Sequence, residues 1–159
     1  MNALVFASRV TIAVVLAYAA IAKLYDARRL PSQMRAFGVP APLSIATAVI
    51  LPVVEFTIAV ALVAFPYSSL PAFAAIALLA LFTGVVVANL ATGQAKPCPC
   101  FGAVAMERPV SPLTLVRNGW LLGLAIIATG DPTGDSGALF LPLFIVLALV
   151  TLFVVRATS

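Results

Sequence analysis

LSIATAVILPVVEFTIAVALVAF, residues 43–65, holds one ionisable side chain, Glu55, in an apolar run long enough to cross a bilayer as a helix. Pro52 lies in its middle, where the missing N–H and the ring predict a kink. The same texture continues on both sides. Upstream, residues 3–22 are apolar except for Arg9; downstream, apolar runs cover 72–91, 113–128 and 138–155. A cleaved leader ending near Ala17 and Ala19 is the rival reading of the first run. It is disfavoured because no basic stretch precedes it and the apolar part is too long. The whole chain is 64% hydrophobic and 9% charged, with mean hydropathy +1.19. These values predict an all-α integral membrane protein: one bundle of about five transmembrane helices with short loops, occupying residues 1–159 as a single domain.

The connecting segments are short. Lys23 to Arg29 is a charged turn, and residues 30–42 suit a short interfacial helix followed by a re-entry turn. Residues 66–71 and 130–137 are turns, and Ser111 with Pro112 reads as an N-cap and first-turn proline opening the fourth span. The chain has no histidine, which excludes histidine acid/base chemistry and histidine metal ligation. Its net charge of +4 comes without a basic patch interleaved with aromatics, so the expected partner is the lipid bilayer and not nucleic acid.

The connector at 93–111 carries the chemistry. It contains AKPCPCFG, residues 95–102, with both cysteines of the chain, Cys98 and Cys100, one residue apart. A bridge between them closes a tiny ring that adds little stability and is strained, the character of labile, exchanging disulfides. Pro97 and Pro99 stiffen the backbone around Cys98, Phe101 follows the pair, and Gly102 permits a turn closed to other residues. Three uses fit: a dithiol cycling with a disulfide, a soft-metal clamp, or two small buried hydrophobes.

Counted over five spans, Lys23, Arg28, Arg29, Arg35, Lys96, Arg108, Arg117 and Arg156 fall on one face, which the positive-inside rule makes cytoplasmic together with the cysteine loop. Two charges interrupt the spans. Arg9 and Glu55 each lie roughly 20 Å from the basic face at about 1.5 Å per residue, so the expectation is that they pair, or that Glu55 lines a polar cavity reached from the opposite side. For Glu55 two readings stand, an ion pair locking the first two spans and a proton or quinone role; quinone is the one cofactor the pattern suggests. Arg117 and Asn89 each sit about one turn below the cysteine loop. Arg117 is the candidate activator, since a nearby cation favours the thiolate. Its rival reading is an arginine snorkelling to the headgroups. Asn89 suits hydrogen bonding between helices.

Lys23-Leu24-x-Asp26 after the first helix, Leu51-Pro52-x-x-Glu55 in the second, Cys98-x-Cys100-Phe101-Gly102 after the third and Arg117-Asn118 opening the fourth resemble the MauE branch of the MauE/DoxX family of redox-associated membrane proteins, over about residues 5 to 128. The resemblance implies a protein of the bacterial cytoplasmic membrane connected with disulfide formation in methylamine dehydrogenase maturation, working beside a thioredoxin-like partner, with Cys98 and Cys100 as the exchanging pair. That role places the loop outside the cytoplasm, opposite to the charge rule. With no second cysteine pair to relay electrons, exchange runs directly with a partner or cofactor. The leading function is therefore a thiol:disulfide oxidoreductase. Its rivals are Cu(I) binding or transport through Cys98 and Cys100, and a non-catalytic membrane anchor of a larger oxidoreductase complex.

Overall fold

The computed structural model describes residues 2–25, 27–28, 30–36, 40–92, 112–130 and 137–157, and at positions 33, 36, 137–141 and 155–157 the backbone alone. The described elements are helices: α1 Ala3–Tyr25, α2 Leu30–Ala36, α3 Ala41–Ala64, α4 Leu70–Ala91, α5 Pro112–Ile127 and α6 Gly137–Ala157. Proline marks the starts of four of them, Pro31, Pro42, Pro71 and Pro112, where its missing N–H costs nothing. Pro52 lies inside α3, which continues through it as one helix.

The protein is an all-α membrane protein. α1, α3 and α4 are each long and apolar enough to cross a bilayer, and α5 and residues Pro142–Val154 of α6 are shorter apolar segments. What faces outward is as apolar as what is buried. Along α3, Val49, Val53, Phe56, Val60 and Val63 form an exposed stripe at helical spacing, suited to lipid and not to water. Thr11, Thr47, Thr57 and Thr83 each donate their hydroxyl to the carbonyl four residues back at 2.7–2.8 Å, so these polar groups ask nothing of the hydrocarbon around them.

Four helices close a ring: α1 packs on α3, α3 on α4, α4 on α5, and α5 on α1; α6 lies against α1, and α2 against α3. Ile12, Leu16, Leu62, Leu79, Phe82, Val86, Leu121 and Leu124 fill the middle. Arg9 reaches the carbonyl of Phe65 at the end of α3, whereas Lys23, fourteen residues later, reaches Glu55, ten residues before Phe65. The two helices are therefore antiparallel, and Ala41 lies about 21 Å beyond Glu55 at 1.5 Å per residue. The first turns of α3 overshoot the end of α1, and α2 covers them: Leu30 of α2 and Ser44 and Ala48 of α3 are buried there.

Candidate functional site in the centre of the bundle

Among the described residues, three of the four buried charges, Arg9, Lys23 and Glu55, form two separate arrangements. At the end of the bundle where α3 and α5 finish, Arg9 is 1% exposed; its Nε donates to the carbonyl of Ala128 at 2.9 Å and a terminal nitrogen donates to the carbonyl of Phe65 at 3.2 Å. Both carbonyls lie at helix C-termini, where carbonyls run short of partners, although that of Phe65 also accepts from Ser68 N–H at 3.1 Å, and a cation there meets the negative end of each helix dipole. One guanidinium thus ties two helix ends to α1.

The second arrangement lies near the middle. Lys23 Nζ donates to both carboxylate oxygens of Glu55, at 2.6 and 2.9 Å, with both side chains fully buried. The same ammonium stands 5.4 Å from the centroid of the Phe82 ring on α4, a cation–π contact across the ring of helices. Lys23 therefore belongs to the interior. Its stem runs back toward the N-terminus of α1, as helical side chains do, which carries the charge deeper than its backbone.

The expected pairing of Arg9 with Glu55 is corrected by this geometry. Equal depth for Arg9 and Glu55 requires α3 to begin level with the end of α1; the overshoot of α3 instead brings Glu55 to Lys23 and leaves Arg9 against Phe65. The charge count along one face changes too. Lys23 and Arg117 are 0% and 4% exposed, so neither is a surface charge, and Arg117 does not snorkel to the headgroups. Arg28 and Arg35 are exposed on that side.

α5 contributes the remaining polar groups. Thr114, Arg117 and Asn118 are buried in its first turns, and Asn89 is buried near the end of α4. Asn118 continues the inward stripe of Leu121, Ala125 and Ala128. Neither Nδ2 nor Oδ1 of its carboxamide has a hydrogen-bond partner among the described residues. Asn118 precedes Ala128 by ten residues, and Glu55 precedes Phe65 by ten; Arg9 holds both endpoints together, so Asn118 and Glu55 lie at one depth, about 15 Å from the Arg9 clamp. α1, α3, α4 and α5 thus each send one group to this layer: Lys23, Glu55, Phe82 and Asn118. Cys98, Pro99, Cys100, Phe101 and Gly102 lie outside the described residues, as do Asp26 and Lys96. Phe82 was missed in the sequence because nothing distinguishes it there from the nine other phenylalanines.

Residues 1–130 match the family model described as methylamine utilisation protein MauE. The chain belongs to the MauE family. A methylamine utilization protein MauE of Paracoccus denitrificans is 36% identical over 137 residues, covering 84% of this chain and 73% of that protein. No solved structure matches. The segment matched by the MauE model contains α1 to α5, hence the Arg9 clamp and the whole Lys23–Glu55–Phe82–Asn118 layer, and ends before α6.

Proposed function

We propose that this member of the MauE family is a membrane thiol:disulfide exchange protein serving methylamine utilisation, with Cys98 and Cys100 trading electrons with a thioredoxin-like protein. One observation carries the reading: the two cysteines stand one residue apart in the connector between the neighbouring helices α4 and α5, and α5 opens with the buried cation Arg117. A guanidinium close to a thiol favours the thiolate, the form that attacks disulfides.

In the exchange, one thiolate attacks a sulfur of the partner's disulfide, forming an S–S bond between the proteins while the partner's other sulfur leaves as thiolate and takes a proton. The second cysteine, as thiolate, then attacks the bridging sulfur of the first, closing the Cys98–Cys100 disulfide and releasing the partner as a dithiol. Two electrons pass to the partner, and the reverse sequence returns them. We take α1, α3, α4, α5 and α6 as five crossings of the bacterial cytoplasmic membrane and α2 as an interfacial helix. Exposed Arg28 and Arg35 favour a cytoplasmic loop, whereas maturation of an exported enzyme needs the opposite face; thiol labelling from each side decides between them.

The decisive test is trapping. Cys98→Ser or Cys100→Ser is expected to accumulate a reductant-sensitive adduct with a thioredoxin-like protein, because the resolving sulfur is gone. Absence of an adduct from both variants rejects the proposal.

A further inference from the structure

The Lys23–Glu55 pair has no evident need to exist for stability alone. Two charges removed from water recover about what they lose only when every remaining hydrogen-bonding position is filled, and apolar replacements of such pairs are commonly neutral or better. Ionisable side chains retained at membrane depth are by default part of a working site. At the same depth, on α5 and facing the interior of the ring, stands a fully buried carboxamide with both of its polar atoms unpartnered among the described residues. Buried polar atoms are almost always satisfied, and where no protein group does so, an internal water is the usual partner.

We propose that the Lys23–Glu55 pair is a proton relay at the centre of the bundle, served by a water molecule held on the Asn118 carboxamide. The water accepts from Nδ2 and donates to Oδ1, which leaves it a second hydrogen and a lone pair to offer the pair. A proton passes from Lys23 Nζ to the Glu55 carboxylate along the hydrogen bond that already joins them, turning ammonium into amine and carboxylate into carboxylic acid. The pair passes from two opposite charges to two neutral groups, its net charge unchanged, so no lone charge is stranded in the apolar interior. The return step restores both ions. Phe82 stabilises the cationic form of Lys23 through its ring face, and Leu121 and Val86 belong to the apolar core of the ring. The relay stands on this geometry; its trigger, the oxidation state of Cys98 and Cys100, rests on the exchange reading above.

The test is infrared difference spectroscopy on the full chain in detergent, between the form reduced with dithiothreitol and the form oxidised with diamide, in H2O and in D2O. The expected result is a protonated-carboxyl band that changes with redox state, shifts in D2O and is lost in Glu55→Gln. A band of an isolated internal water is expected as well, lost in Asn118→Leu and displaced in Asn118→Asp, which keeps the volume and removes the Nδ2 donor. Unchanged Trp120 emission verifies the fold of each variant. In samples whose thiol titration shows that Cys98 and Cys100 have changed oxidation state, a wild-type spectrum without a carboxyl band, or a band that survives Glu55→Gln, overturns the relay. Failure of the exchange reading looks different: these bands persist while no mixed disulfide forms.

Discussion

Lys23 and Glu55 meet as a fully buried ion pair between two antiparallel helices, 2.6 Å apart, and join two short motifs that lie 32 positions apart in the chain. Lys23-Leu24 closes the first helix and Pro52-x-x-Glu55 crosses the middle of the third; each looks local until the register of α1 on α3 makes them one feature.

Removing one partner strands the other in the apolar interior. Lys23→Met and Glu55→Leu are each expected to destabilise the bundle by about 3–5 kcal/mol, because an uncompensated charge remains. The double variant is expected to recover most of that loss. A double-mutant cycle on denaturant-induced unfolding in detergent checks it, and two additive losses would show that the pair is not coupled.

At the opposite end, Arg9 makes a different kind of prediction, since its partners are carbonyls and not an acid. Arg9→Met takes the side-chain donor from the carbonyls of Phe65 and Ala128, of which the first keeps Ser68 N–H, and is expected to cost about 3 kcal/mol, the sum of two hydrogen bonds from a charged donor at the lower end of their range. Arg9→Lys is expected to restore part of this, because a single ammonium lacks the fork that reaches two carbonyls in different directions. Equal losses for Met and Lys would place the effect in packing.

The helical, membrane-spanning class was legible because hydrocarbon imposes it. Stretches such as 43–65 and 72–91 carry too few polar side chains to do anything else, and Pro42, Pro71 and Pro112 fall where helices begin. The central site was legible only in its parts. Arg9, Lys23, Glu55, Arg117 and Asn118 stand out as polar residues in apolar surroundings, but which of them meet depends on how far one helix slides along another. Nothing in the periodicity of α3 announces that its first turns pass beyond α1 and are covered by α2. Phe82 carries no signal at all until Lys23 is found above it.

α6 lies beyond the family-matched segment and is held partly by a polar tie: Trp120 Nε1 donates to Thr151 Oγ1 at 3.2 Å. Trp120 is the only tryptophan of the chain, so its emission reports the surroundings of this one side chain. Thr151→Val keeps the shape and removes the acceptor; it is expected to shift Trp120 emission and to cost about 1 kcal/mol, the net value of one neutral hydrogen bond. The Lys23–Glu55 layer lies inside the four-helix ring, so the infrared carboxyl band described above is expected to be unaffected.

Glycines separate the tight places from the open ones. A methyl group on Gly130 would stand 3.1 Å from Cγ2 of Val5 and 3.2 Å from the carbonyl oxygen of Ile127. The first neighbour is a short branched side chain and the second is backbone, so relief needs a shift of the turn that follows α5 against the start of α1. Gly130→Ala is expected to cost about 1–3 kcal/mol, the usual range for overpacking a close contact. Shortening the neighbour with Val5→Ala is expected to return part of that loss. Gly119 and Gly123, by contrast, face open space on the outer side of α5. Alanine at either position removes a helix-weakening residue without a clash and is expected to stabilise by about 0.5–1 kcal/mol. Thermal unfolding of the three single variants in one detergent checks the contrast. A loss at Gly119 or Gly123 comparable to that at Gly130 would mean that the outer face of α5 is covered in the working protein.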